Sequence, residues 1–189
     1  ILHKIDKDGA YTNIAVKDGL AASGLDARDK GFVSEMVYGI VSRRLTLDYF
    51  IKKYSSVKLK KLSLYVLELL RMGIYQIYFM DRVPESAAVN ESVKLAKRYA
   101  GRSAGFVNAV LRSIIRGGDS ISDIQSIMER YSFPDSIYNV FKRDFGEQRA
   151  IDIMKSLNEK PHMTLRANTL KVTADELLRL LEHDGITAE

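Results

Sequence analysis

Apolar residues recur along this chain at the spacing of helices. Tyr11 to Ala22 reads as a short helix closed by Ser23-Gly24. From Arg28 to Arg44, Phe32, Val33, Met36, Val37, Ile40 and Val41 fall on one broad face. A helix continuing from Thr46 turns Leu47 and Phe50 inward. Ser63 suits the cap of the next helix, which runs to about Phe79 and is apolar nearly all round. Such a helix belongs at the centre of a bundle, with neighbours on several sides. Pro84 fits a first helical turn and Glu85 suits the positive end of the helix dipole. Val89, Val93, Ala96 and Ala100 then share a face up to Gly101. Ser103 opens a further helix with Phe106, Val107, Val110, Leu111 and Ile114 inward. No window before Gly118 alternates like a strand. Residues 1–118 therefore predict an all-α bundle with Leu64, Leu67, Ile74, Val93, Phe106 and Val110 in its core.

The pattern changes after Gly117-Gly118-Asp119-Ser120, where a domain boundary is expected. Pro134 opens a helix to about Phe145, Gly146 stops it, and Glu147 to Asn158 forms another. Met163 to Asn168 alternates polar and apolar residues just after Pro161, which predicts a strand. Thr173 begins a last helix through Leu180 and Leu181 to Gly185. Residues 119–189 thus read as a linker and a short, truncated α+β segment. Ile1 lies within a patterned stretch and Glu189 follows a helix-like run, so both ends are expected to be trimmed.

Charge sharpens this division. Residues 1–118 carry 20 Lys and Arg against 11 Asp and Glu, a net +9, while residues 119–189 carry 9 against 13, a net −4. A basic domain suits a polyanion. The chain has no cysteine, so disulfides, thiolate metal sites and a cysteine nucleophile are excluded, and a reducing, cytoplasmic setting is expected. His3, His162 and His183 are scattered, which argues against a metal site. Glu68, Arg71 and Gln76 interrupt the most apolar run, so no membrane span is expected.

The stretch from Lys94 to Gly118 carries six basic residues and no acid. Lys94, Lys97 and Arg98 share a helix face, and Arg112 and Arg116 repeat this on the next helix, with Asn108 one turn earlier and Arg102 between the two helices. Like charges so placed destabilise a helix slightly. The face either grips phosphates by releasing counterions or simply stays solvated. The cluster Arg43, Arg44, Lys52, Lys53, Lys58, Lys60 and Lys61 reads as plain surface. Tyr99, closing the first basic helix, could stack on an unpaired base, whereas Tyr65, Tyr75 and Tyr78 read as core. Gly101-Arg102-Ser103-Ala104-Gly105 joins two helices and is no dinucleotide loop. There is no Walker sequence and no nucleophile–base set, and Asp175-Glu176 is explained by a helix start. No catalytic or cofactor-binding residue is assigned to this chain.

The run Asp81-Arg82-Val83-Pro84-Glu85-Ser86-Ala87-Ala88-Val89-Asn90-Glu91-Ser92-Val93, continuing through Leu95-Ala96-Lys97-Arg98 to Gly105-Phe106-Val107-Asn108-Ala109-Val110-Leu111-Arg112, resembles the amino-terminal region of the bacterial 16S ribosomal-RNA cytosine-C5 methyltransferases of the RsmB (Sun, Fmu) family. Gly9-Ala10-Tyr11-Thr12-Asn13, Asp26-Ala27-Arg28-Asp29, Glu35-Met36-Val37-Tyr38-Gly39, Arg130-Tyr131-Ser132 and Leu165-Arg166-Ala167-Asn168-Thr169-Leu170-Lys171 agree with it. The resemblance implies a NusB-like double three-helix bundle, then the start of the α+β part leading into the methyltransferase region. It implies small-subunit ribosomal RNA and a downstream methyltransferase domain as partners. It also implies S-adenosylmethionine as the cofactor of the full-length protein and cysteines in that downstream domain, neither of which has a position here. A free-standing NusB-like antitermination factor and a protein-docking module are the alternatives. Residues 119–189 speak against the former, and salt-sensitive RNA binding would exclude the latter.

Overall fold

A computed structural model of the chain describes residues 1–159 and 163–187. Among them every regular element is helical. The helices are α1 (Leu2–Asp8), α2 (Thr12–Ala21), α3 (Ala27–Ser42), α4 (Arg44–Tyr54), α5 (Leu64–Phe79), α6 (Glu85–Tyr99), α7 (Ala104–Gly117), α8 (Ile127–Tyr131), α9 (Asp135–Phe145), α10 (Glu147–Leu157) and α11 (Ala174–His183). The chain divides into two compact units, Ile1–Lys155 and Ser156–Glu189.

The local rules place the ends. Ser63 accepts the Val66 N–H at the start of α5, and Asp26 accepts the Asp29 N–H at the start of α3. Pro84 sits one residue before α6, which begins at Glu85. Gly118 closes α7 with φ 63°, and the chain leaves in a direction that a β-carbon would oppose.

In the first unit α5 is central, as its apolar circumference predicts. It packs against α1, α3, α4, α6 and α7. Leu70 and Ile74 are fully buried, together with Leu47, Phe50 and Ile51 of α4, Val107 and Leu111 of α7 and Val89 of α6. Arg71 of α5 finds its partners inside this core. Arg71 donates through Nε and Nη2 to the two Asp48 carboxylate oxygens, both at 2.8 Å, and through Nη1 to Asp6 at 2.9 Å. Arg44 shares Asp6, so one ion network joins α1, α4 and α5.

Packing continues past the charge break. Ile124 is fully buried in the same core. Thr46 of α4 donates its hydroxyl to the Glu129 carbonyl at 2.6 Å, the Leu45 N–H reaches Ser132 Oγ at 3.0 Å, and Lys52 pairs with Glu129 at 3.0 Å. Asp119 takes hydrogen bonds from Tyr54 and Lys53, which hold its carboxyl below the usual carboxylate range. A second small core gathers Tyr138, Ala150 and Met154 with Phe133, Phe141 and Ile151.

Three expectations are corrected. Phe32 is exposed, because its stripe on α3 extends beyond the reach of α5 while Ile40, two turns on, is buried. Leu64, Leu67, Val93 and Phe106 are only half-buried, whereas Ile74 and Val110 are core. Met163 to Asn168 forms no strand among the described residues: no second segment lies beside it as a ladder, and Met163 and Leu165 face solvent. Pro161 and His162 lie outside the described residues. In the second unit α11 starts with a reciprocal capping box, Thr173 accepting the Glu176 N–H and Glu176 accepting the Thr173 N–H. No described helix is long and apolar enough to cross a membrane, and no described cluster of His, Asp and Glu could hold a metal ion.

Candidate nucleic-acid interface

Helices α6 and α7 form a hairpin joined by Gly101–Ser103, with Gly101 at φ 47° to make the turn. Their inner faces are apolar: Ala88, Val89 and Ala96 meet Val107, Val110, Leu111 and Ile114. That burial fixes which residues face out. Lys94, Lys97 and Arg98 fall on the outer surface of α6, Arg102 on the connector, and Arg112 and Arg116 on the outer surface of α7, all exposed.

The hairpin separates what the sequence left open. Arg112 and Arg116 line a groove with Glu85, Ser86 and Val89, at the start of α6. Arg98 lies thirteen positions further along α6, which at helical rise is about 20 Å away. The six basic side chains therefore run along the hairpin as two groups, Lys94, Lys97, Arg98 and Arg102 at the connector end and Arg112 and Arg116 at the other. They do not converge on one point.

Local partners grade these side chains. Lys94 is held by Glu91 at 2.5 Å, an acid just outside the acid-free stretch. Arg112 donates from Nε to Asn108 Oδ1 at 2.9 Å, so Asn108 orients the guanidinium. Arg116 donates to Ser113 Oγ at 3.2 Å. Arg98 lies over the Tyr99 ring, 5.2 Å from its centroid. Lys97 and Arg102 have no acidic partner among the described residues.

The second basic cluster is largely spent on the fold. Arg44 pairs with Asp6, Lys52 with Glu129 and Lys53 with Asp119, while Arg43 is half-buried over Phe79, where burial lowers its pKa. Only Lys58, Lys60 and Lys61 of that cluster project without an acid beside them among the described residues.

Two aromatic expectations separate. Tyr75 is buried and Tyr78 half-buried, with burial pushing the phenols up. Tyr65 is exposed, against expectation. Its place in the first turn of α5 puts its ring beside His3 of α1, the two stacked at 4.4 Å and 9°. Helical periodicity does not carry that signal, since the partner ring is 62 positions away.

Among the described residues every regular element is helical, and Gly101–Ser103 joins two helices.

Residues 1–116 match the family model described as the NusB family, and residues 133–189 match one described as the RsmF/B-like methyltransferase, ferredoxin-like domain. The chain is 32% identical over 194 residues to a probable ribosomal RNA small subunit methyltransferase B of Bacillus subtilis, covering 100% of this chain and 43% of that protein. It is 33% identical over 193 residues to the protein of the same description from Synechocystis, again 43% of it. It is 36% identical over 118 residues to the transcription antitermination protein NusB of Ruminiclostridium cellulolyticum, covering 61% of this chain and 78% of that protein. The chain thus spans less than half the length of the methyltransferase relatives.

Proposed function

The chain belongs to the NusB family, and from that premise we propose that it is the RNA-binding amino-terminal region of a small-subunit ribosomal-RNA methyltransferase. It docks or orients ribosomal RNA for a catalytic region that the methyltransferase relatives carry in the remainder of their length. The observation that carries this reading is the order of two families in one chain, NusB first and the RsmF/B-like ferredoxin-like domain second. The NusB relative of Ruminiclostridium cellulolyticum matches only 61% of the chain and leaves the second family unexplained. The activity to which this region contributes is methylation of a cytosine at C5 of 16S ribosomal RNA, in the cytoplasm, with S-adenosylmethionine bound by the catalytic region.

The contact surface is the outer side of the α6–α7 hairpin: Lys94, Lys97, Arg98, Arg102, Arg112 and Arg116, with Asn108 orienting Arg112. We take residues 1–118 as the RNA-binding domain and 119–189 as the connector and the opening of the methyltransferase region. Phosphate contacts dominate, so affinity falls as salt rises, with a log–log slope of about 0.7 per contact on single strands. With about four contacts the slope is near −3. The experiment is an anisotropy titration of a small-subunit ribosomal-RNA hairpin at several salt concentrations, for the wild type and for Arg98→Glu with Arg112→Glu. The double variant is expected to bind more weakly to every RNA sequence tried. Unchanged affinity with intact helical circular dichroism would remove this surface from consideration.

A further inference from the structure

Three rings from three helices lie in one open stack at the connector end of the hairpin. His3 of α1 stacks on Tyr65 of α5 at 4.4 Å and 9°, and Tyr65 lies nearly parallel to Tyr99 of α6 at 6.3 Å and 14°. Arg98 caps the Tyr99 ring at 5.2 Å. The stack is not sealed into the core. Tyr65 is 43% exposed and Tyr99 51% exposed. Rings that served only to join helices would gain most by full burial, as Tyr75 does. Here both tyrosine rings stay partly open to water, with the exposed Arg98 side chain over Tyr99 and with Lys97 and Arg102 close by in sequence, and none of the three cations has an acidic partner among the described residues.

Exposed aromatic rings beside guanidinium groups that no acid holds match the two parts of an unpaired nucleotide: a base stacks on the ring, and the guanidinium over it moves to the phosphate. Paired bases keep their faces covered by their neighbours and cannot use such a stack. We propose that Tyr65 and Tyr99, backed by His3, form a stacking site for an unpaired base of single-stranded RNA, with Arg98 and Arg102 on the phosphates beside it. The proposal rests on the RNA-binding reading above and adds the class of RNA and the place where a base is held. It also assigns different work to the two ends of the hairpin: the connector end takes base and phosphate, and the Arg112–Arg116 end phosphate alone.

The test uses the full chain and a single-stranded oligoribonucleotide of mixed sequence, with a fully paired RNA duplex as comparison. Tyr65→Ala with Tyr99→Ala removes the stack and no charge. Binding of the single strand should fall about 5- to 150-fold, the effect of losing one stacked base, while the slope of affinity against salt stays unchanged. Tyr99→Phe keeps the ring and should bind as the wild type does. The chain has no tryptophan, so Tyr99→Trp places a lone indole in the stack. Its emission should be quenched at saturation by the single strand, and much less by the duplex. Wild-type affinity in the double alanine variant, or an indole whose emission the single strand leaves unchanged at saturation, overturns the stacking site while RNA binding itself stands. Absence of RNA binding by the wild type at any salt concentration overturns both.

Discussion

Gly39 and Gly73 set how closely the helices approach α5. A β-carbon on Gly39 of α3 would collide with the ring of Tyr75, which is buried and has nowhere to go, and one on Gly73 would come within 2.7 Å of Leu111 Cδ1 and 2.9 Å of Ser92 Oγ. Alanine at a mid-helix glycine ordinarily gains about 1 kcal/mol of helix propensity. Gly39→Ala should nonetheless destabilise the protein, by up to about 2 kcal/mol net, because overpacking costs about 1–3 kcal/mol. Urea unfolding decides it, and a more stable variant would show that the ring can yield. Glu68 is a second case in which a neighbour outweighs the residue's own chemistry. Burial raises its pKa, and the nearby His3 offsets this only in part. A carboxyl whose folded pKa lies above its unfolded value, about 4.3, holds a proton that the unfolded chain has lost, so its contribution to stability declines as pH rises from there. Glu68→Gln should therefore melt above the wild type at pH 7, with the gap closing on acidification below about pH 4. A variant that melts lower at pH 7 would mean the His3 contact outweighs the burial. At this scale sequence is least legible. Leu67 and Leu70 are equally apolar and one turn apart, yet only Leu70 is fully buried, because α5 is surrounded unevenly along its length. Leu70→Ala is accordingly the substitution expected to cost about 2–5 kcal/mol.

Elements were far easier to read, since their ends depend on local chemistry. Ser63, Thr173, Gly118 and Gly146 start or stop helices where capping and left-handed backbone require. Met163 to Asn168 fails for the same reason in reverse: a strand exists only in a ladder, and alternation in one segment says nothing about a partner. The basic hairpin is an intermediate case. Which residues face out was legible from the apolar stripes of α6 and α7, but the separation of the two basic groups was not, because it follows from the antiparallel return of α7 along α6. That separation has a measurable consequence. Sites more than about 10 Å apart with no shared partner contribute additively. Arg98→Glu and Arg112→Glu should each weaken RNA binding, and the double variant should match their summed free energies within about 0.5 kcal/mol. Strong non-additivity in titrations of the four proteins would place both arginines on one phosphate cluster instead. Glu91 competes with RNA for Lys94, so Glu91→Gln should tighten binding and steepen its salt dependence, whereas weaker binding would assign Glu91 a positive role.

For the molecule as a whole, the sign of charge and the limit of packing fall in different places. Net charge turns from positive to negative at Gly117-Gly118, yet the first compact unit runs to Lys155. The difference comes from contacts over long sequence separations, which a charge count does not register: Ile124 is buried in the main core, Thr46 and Leu45 bond to residues 129–132, and Lys53 and Tyr54 bind Asp119. Cutting the chain after Gly118 removes all of them and opens to water the face of α4 around Thr46, which is fully buried in the intact chain. Losing the side chain of the fully buried Ile124 alone is of the size of a large-to-small core substitution, about 2–5 kcal/mol. Residues 1–155 should therefore melt close to the temperature of the same unit in the full chain, and residues 1–118 well below it. Residues 1–155 carry 25 Lys and Arg against 18 Asp and Glu, and residues 156–189 carry 4 against 6. Removing the second unit thus takes away a small net negative charge and none of the basic hairpin. RNA affinity of residues 1–155 should equal or slightly exceed that of the full chain, with the same salt slope. Thermal melts and salt-series titrations of the three lengths check both expectations together. If residues 1–118 melt as high as 1–155, the segment from Asp119 to Ser132 is a passive tether. If 1–155 loses RNA binding while still folded, the second unit supplies contacts that the α6–α7 hairpin does not.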